Sequence, residues 1–575
     1  MRNIIICVLA WGSHFTLNAQ SVRSIVGAGK AINPYHYTVV KKGDFSKASV
    51  GSAHPLASMV GVAMMRKGGN AFDAAIATQL ALAVVYPGAG NLGGGGFLLG
   101  RKANGELIGI DYREAAPEKA HRDMYLDKNG NAQLNLSQAG HLASGIPGTV
   151  AGLFATLPYA KLSFKELVQP AIDLAEKGFA ITEREASSLN STRESFIKNS
   201  TRPSALVKEG KWKAGDTLVQ KELAATLKRM QKEGSRGFYE GETARLVVEE
   251  MQRGNGIISL DDLKNYTAKL RNPLEFEYRG YQVISFAPPS SGGILIAQML
   301  KMIEKYPVGS YGFQTARSVQ LMIEAERRAY ADRAEFMGDP DFYKVPVKTL
   351  ISDAYIEQRM SDYTPEKAGS SSTVRAGQIK ESEETTHLSV MDEAGNMVAV
   401  TTTLNNGYGS RTVVGGAGFL LNNEMDDFSV KPGVPNMYGA LGGEANAIVP
   451  GKRMLSSMTP TLLLKKNKPY VVVGTPGGTT IPTSVYQAIV NLVDFNMNAD
   501  DAINKPKFHH QWLPDEVMVE ADFDGETKKQ LQSMGYKVTN RGGIGRTEII
   551  RVLNNGKKET VADKRGDDSV AGFMP

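Results

Sequence analysis

Cysteine is all but absent: the 575 residues hold one, Cys7. A fold held together by disulfides is therefore excluded. Histidine is scarce, with 8 residues. The pair His509-His510 has no metal-ligand spacing to other His or Cys residues and reads as structural, so no metal and no cofactor are expected. Neither sign of charge dominates: 66 Lys and Arg stand against 60 Asp and Glu, and no basic run gives a case for nucleic-acid binding. No apolar run is long enough to span a membrane; the longest candidate, Ala71 to Val85, is interrupted by Asp73 and Gln79. A Gly-x-Ser-x-Gly elbow and a His-Glu-x-x-His motif are missing. Ser195-x-x-Lys198 has no Lys-Thr-Gly partner, which excludes a penicillin-binding site.

What is present is a hydrophobic content of 42 % and 60 glycines, the composition of a loop-rich globular protein of mixed helix and strand. The length allows a large core. Residues 1–19 read as a secretory signal, with Arg2, an apolar stretch Ile4 to Trp11 and a small-residue end at Ala19. This predicts an exported protein, periplasmic or secreted, whose mature chain starts near Gln20 and has lost Cys7.

Periodicity predicts a buried helix from Ala71 to Val85. The glycines that follow, Gly88-Ala89-Gly90-Asn91-Leu92-Gly93, formally match a dinucleotide fingerprint. The order is reversed, however: a helix precedes them and a strand, Phe97-Leu98-Leu99, follows. A connection with close backbone packing explains the glycines better. Ile108 to Glu114 reads as a strand entering a loop, where Arg113 is a candidate anion clamp. Residues 150 to 380 read mainly as helix, with a capping box at Ser163-x-x-Glu166, an amphipathic helix from Lys221 to Glu233 and a strand over Arg279–Phe286. The helix from Ala316 to Phe336 carries Glu324, Glu326, Arg327, Arg328, Asp332 and Arg333, expected as a solvated face with i,i+4 pairs.

The pattern changes at Thr385. Residues 368 to 384 are polar and loop-like. Leu388 to Met391 and Met397 to Thr403 then read as a hairpin turning at Asp392 to Asn396. If the Glu384–Thr385 bond is cut, Thr385 carries both a hydroxyl nucleophile and a free α-amine, a base with an ordinary pKa of ~7.7–8.0. On pattern alone an ordinary loop-to-hairpin junction accounts for the same residues. Further on, Asn422 to Phe428 is an acidic loop, and residues 431 to 453 are expected as a long surface loop that could serve as a lid. Gly477 and Gly478 open a helix from about Ile481 to Val493, where backbone N–H groups suit a developing oxyanion.

Eight segments together resemble the γ-glutamyltranspeptidases: residues 68–75 (Gly-Gly-Asn-Ala-Phe-Asp-Ala-Ala), Asn91 to Phe97, Asp111 to Glu114, Pro288 to Gly293, Thr385-Thr386-His387, Asn422 to Phe428, Leu455 to Met458 and Thr475 to Gly478. The resemblance implies a four-layer αββα N-terminal-nucleophile hydrolase of the α+β class. It is made as one precursor that cuts itself into a large subunit (20–384) and a small subunit (385–575), which stay together as a heterodimer. It implies Thr385 as nucleophile and base, Thr403 as the hydroxyl that orients it, and Gly477 and Gly478 as the oxyanion hole. Arg113, Ser456 and Ser457 would take the substrate's α-carboxylate; Asn405, Glu424 and Asp427 its α-amino group. Tyr438 would lie on the lid. The substrates would be glutathione and other γ-glutamyl compounds, with water, amino acids or dipeptides as acceptors.

Two rivals remain. An acylase of glutaryl-cephalosporin type shares the fold, and Arg113 with Glu424 and Asp427 favours an α-amino-acid end over a plain diacid. A non-catalytic binding protein on this scaffold is opposed by the intact Thr385 and Gly477-Gly478.

Overall fold

Thr385 to Thr403 forms the expected hairpin, and that hairpin lies inside a sheet rather than at its edge. The computed structural model describes residues 32–374, 385–431 and 443–574. The first strand, Thr385–Met391, starts three residues earlier than periodicity suggests, and the second is Met397–Thr403. The turn is held by Asp392, whose carboxylate accepts from Asn396 N at 2.9 Å and from Ala71 N at 3.0 Å. The second bond also satisfies one of the free donors that every helix N-terminus carries.

One seven-stranded antiparallel sheet runs Ser569–Phe573, Ala48–Ser52, Thr385–Met391, Met397–Thr403, Gly95–Arg101, Leu107–Tyr112, Lys269–Arg271. The other runs Lys42–Phe45, Lys558–Ala562, Glu548–Val552, Lys468–Gly474, Thr461–Lys465, Tyr281–Ser285, Leu274–Tyr278. Both sheets contain strands from before and from after residue 385.

Period-two patterning sorts side chains between three apolar cores. Met391, Met397 and Ala399 face Leu462, Leu464, Val472 and Ile550 of the opposite sheet. Their neighbours Leu388, Val390, Val398 and Val400 point the other way, into a core shared with the helices Pro55–Arg66 and Ala71–Val85. On the far side, Val283, Leu463, Val471, Val473 and Ile549 pack under the helices Gly292–Glu304, Ala316–Phe336 and Thr480–Val493. Three cores between four layers give the αββα sandwich. Each fully buried aliphatic side chain contributes ~1.5–3 kcal/mol relative to exposure. A one-residue slip of the hairpin would exchange its two sets between cores, so the register is firmly fixed.

Helix Ala71–Val85 is buried along its whole length, as a helix apolar on every side must be. Asn70 and Asp73 close a reciprocal capping box at its start. The glycines after it are close-packing residues: a Cβ at Gly94 would meet the Thr403 carbonyl, and one at Gly96 the Thr401 carbonyl. Among the described residues no helix is long and apolar enough to cross a membrane.

Two expectations are corrected. The charges of Ala316–Phe336 are not a solvated face: Glu324, Glu326, Arg327, Arg328, Asp332 and Arg333 are all buried. Segments remote in sequence cover them. Arg328 reaches Glu324 at 2.5 Å and Asp362 at 2.6 Å, Asp332 meets Arg359 at 3.1 Å, and Glu326 accepts from His510 N at 2.7 Å. The expected surface loop 431–453 is only partly at the surface where it is described: Ala445 to Ile448, Lys452 and Arg453 are buried, while Lys431, Glu444, Val449 and Gly451 are exposed. Arg453 pairs with Asp111 at 2.5 Å, and the Lys452 ammonium donates to the carbonyls of Ala445 and Ala447. Tyr438 and Glu384 lie outside the described residues, as does the signal-like start 1–19.

Candidate active site

Antiparallel pairing sets Thr385 opposite Thr403. Side chains in that relation have Cβ atoms ~4.5–5.5 Å apart, within hydroxyl-to-hydroxyl reach. Thr403 Oγ1 accepts the Asn405 N–H at 2.7 Å, which leaves its proton as the group to donate. Asn405 has a φ of 76°, a left-handed turn that Asn tolerates, and its side-chain amide donates to Asn423 O at 3.0 Å.

Thr385, Thr403, Asn405, Arg113, Glu424, Asp427, Ser456, Ser457 and Gly478 line one small cavity with Met458 and Ile481. These side chains come from strand ends and loops that converge at one end of the sandwich. Arg113 follows the strand Leu107–Tyr112, and the Ser456–Ser457 segment is joined to the Pro288–Gly293 loop through a bridge between Ser290 and Ser456. Gly477 stands beside Gly478, and both have positive φ, 134° and 57°. A side chain at either would be strained. They precede the helix Thr480–Val493, and among the described residues neither N–H is taken by a protein acceptor. A larger cleft opens against Tyr86, Arg184, Tyr408 and Arg546. It contains none of the expected site residues, so chemistry and not size selects the smaller cavity.

The charged end of the cavity is more tightly knit than the sequence suggests. Arg113 is buried, with Nη1 2.6 Å from Glu424 and Nη2 2.5 Å from Asp427, and it also donates to the carbonyls of Met454 and Leu455. Clamp and acids, expected to serve opposite ends of an amino acid, thus touch each other. Glu114 completes the cluster at 3.5 Å from Nη1. Burial works against the Arg113 charge, but the Glu424, Asp427 and Glu114 carboxylates outweigh it and hold the guanidinium protonated. Burial raises Glu424 well above the usual carboxylate range, against the pull of Arg113, and pushes Glu114 up to about 8. Three carboxyls around one guanidinium cannot all ionise cheaply, so the cluster retains a proton and has room for a second cation.

Sequence reading missed Glu114, although it sits beside Arg113 in a quoted segment. It also missed Met458 and Ile481, whose apolar type gives no functional signal. Asn91 was quoted without a role; its amide donates to Thr403 O at 3.0 Å while Gly94 N donates to its Oδ1 at 2.9 Å, which ties the glycine loop to the Thr403 strand.

His387, two residues beyond Thr385, is buried between Thr401 Oγ1 at 2.9 Å and Ser389 Oγ at 3.1 Å, and burial lowers its pKa to about 3. Between pH 6.5 and about 3 the unfolded chain therefore holds one proton more than the folded one at this residue. The stability it gives is present above pH 6.5 and lost as pH falls. Between pH 7.5 and 5 that loss is about 2 kcal/mol. Urea unfolding of a Thr385→Ala chain with and without His387→Gln will give a smaller stability gap at pH 5 than at pH 7.5. A gap that does not change with pH would mean that His387 takes up its proton in the fold as it does in the unfolded chain.

The family model for gamma-glutamyltranspeptidase matches residues 57–573. The glutathione hydrolase proenzyme of Escherichia coli (strain K12) is 45 % identical over 100 % of this chain and 99 % of its own length. The chain belongs to the γ-glutamyltranspeptidase family. The Acylase ACY 1 proenzyme of Pseudomonas sp. (strain SE83) is 36 % identical over 86 % of this chain and 87 % of its own, so the family resemblance extends to acylases. The crystal structure of cephalosporin acylase from Bacillus halodurans superposes with a TM-score of 0.81 at 24 % identity, covering 94 % of this chain and 98 % of that one; it speaks for the fold alone. The layered sheets described above are those of that fold.

Proposed function

We propose that the chain is a glutathione hydrolase and γ-glutamyltransferase that cuts itself before Thr385. The observation that carries this is the single cavity in which Thr385 shares walls with Thr403, Gly478, one buried guanidinium and two acids. A γ-glutamyl group presents an α-carboxylate, an α-ammonium and an acyl carbon, and the cavity has a counterpart for each. In self-cleavage, Thr385 Oγ1 attacks the Glu384 carbonyl carbon and its proton passes to the departing amide nitrogen. The resulting ester is opened by water, which leaves the α-amine of Thr385 free.

In turnover that amine takes the Oγ1 proton as the oxygen attacks the γ-carbonyl carbon. Gly477 and Gly478 N–H groups stabilise the oxyanion. The C–N bond breaks, and the leaving amine takes the proton back. Water or an amino acid or dipeptide amine then attacks the γ-glutamyl–Thr385 ester and gives its proton to the α-amine; the acyl C–Oγ1 bond breaks, and Oγ1 takes that proton back as the hydroxyl is restored. Arg113, Ser456 and Ser457 hold the α-carboxylate; Asn405, Glu424 and Asp427 hold the α-ammonium. The large and small subunits remain a heterodimer, and the signal-like residues 1–19 support export. Mass analysis of the purified protein, with an assay on a γ-glutamyl anilide, tests the whole reading: one uncut, inert chain would sink it.

The acylase alternative is decided by the ammonium. A glutaryl amide lacks it and leaves Glu424 and Asp427 facing nothing new that is positive. The wild type will therefore prefer γ-glutamyl to glutaryl anilide by ~10- to 150-fold, the worth of one charge-assisted hydrogen bond. Asp427→Asn will narrow that preference by slowing the γ-glutamyl substrate alone. Equal efficiency on the two substrates in the wild type would favour the acylase.

A further inference from the structure

Behind the Ser456–Ser457 wall stands a guanidinium that this mechanism does not use. Arg333, on the helix Ala316–Phe336, is buried but lines no part of the cavity. Its Nε–H donates to Ser291 Oγ at 2.9 Å, and Nη2 donates to Ser457 Oγ at 3.0 Å. Ser291 in turn donates to the Ser456 carbonyl twice, from N at 2.7 Å and from Oγ at 2.8 Å. One cation thus grips both serines of the cavity wall, Ser457 directly and Ser456 through Ser291. A hydroxyl that accepts from a guanidinium keeps its own proton to donate to another group. Ser457 also lines the cavity. A hydroxyl fixed as donor suits an acceptor-only group such as a carboxylate.

We propose that Arg333 is a positioning residue that fixes Ser457 as a hydrogen-bond donor to the substrate's α-carboxylate, selecting substrates with that carboxylate free over those in which it is amidated. The inference rests on the glutamyl reading of the cavity. Its test is kcat and KM for a γ-glutamyl anilide and for the same anilide with its α-carboxyl amidated. The proteins are the wild type, Arg333→Gln, Arg333→Lys, Ser291→Ala, Ser457→Ala and the Arg333→Gln/Ser457→Ala double variant.

Arg333→Gln is expected to raise KM for the free acid about 5- to 10-fold with little change in kcat, the range for one hydrogen bond. It will leave the amidated substrate unchanged. Arg333→Lys will recover part of the loss, and the effect will vanish when Ser457 is already Ala. Ser291→Ala will shift KM in the same direction by less. Independent, multiplying effects of Arg333→Gln and Ser457→Ala, or equal losses on both substrates, overturn the inference. Should Arg333→Gln fail to fold, as judged by its uncut mass and lost melting transition, Ser291→Ala decides, and an unchanged KM there overturns it. A wild type inert toward the γ-glutamyl anilide would overturn the glutamyl reading and this inference together; an active wild type with unaffected variants overturns this inference only.

Discussion

Thr385→Ala will stay a single polypeptide and turn over no γ-glutamyl anilide. Without Oγ1 there is no atom to attack the Glu384 carbonyl, so no ester forms and the α-amine is never released. Both the nucleophile and its base are lost in one substitution, and the drop in kcat/KM should be at least ~10 000-fold. The fold should survive, because Thr385 is one position in a strand whose register is held by Leu388, Val390 and Met391 in two cores. Thr385→Ser keeps the hydroxyl and loses only the methyl that restricts its rotamers, so it should still cut and still turn over, more slowly. The measurements are intact mass, N-terminal sequencing of any small chain, and the anilide assay. A small chain that begins elsewhere than Thr385 would overturn the cleavage assignment.

Arg113→Lys will have the second large effect, and the structure makes it a double one. In catalysis, an ammonium retains charge but not the fork, and each charge-assisted bond lost costs ~1.5–3 kcal/mol, or ~10- to 150-fold in kcat/KM. In stability, Arg113 is the cation between Glu424 and Asp427. A single ammonium cannot reach both with the same geometry. Arg113→Met removes the charge outright and leaves both acids buried without it, a loss on the order of 3–5 kcal/mol. Arg113→Met should therefore melt well below the wild type, while Arg113→Lys melts only somewhat below it. A correctly cut Arg113→Lys protein with wild-type kinetics would mean that Arg113 does not touch substrate.

Local pattern carried much of the fold. The helix Ala71–Val85 and the strand Met397–Thr403 have the bounds that caps, apolar periodicity and glycine punctuation indicate. What pattern did not reveal is what covers each element. Helix Ala316–Phe336 has the charge spacing of a solvated helix, and Glu324 and Arg328 do pair at i,i+4. That they do so inside the protein depends on Asp362, Tyr536 and His510, which no local window contains. The candidate site was legible through a family's segments and not through periodicity. Arg113 and Asp427 are 314 positions apart, and nothing in either neighbourhood alone indicates that they meet. Arg333 was read as part of a solvated face for the same reason: its target, Ser457, is 124 positions away.

The mixing of early and late strands in both sheets has a thermodynamic consequence. Under the proposed cut before Thr385, neither piece would hold a complete sheet or a closed core, so neither is expected to stay folded once separated by dilution. Folding, a unimolecular event for the precursor, becomes a bimolecular encounter of two incomplete chains for the cut enzyme. The precursor can be characterised by an equilibrium; the mature enzyme's durability is a rate, set by the barrier to its first and last global unfolding.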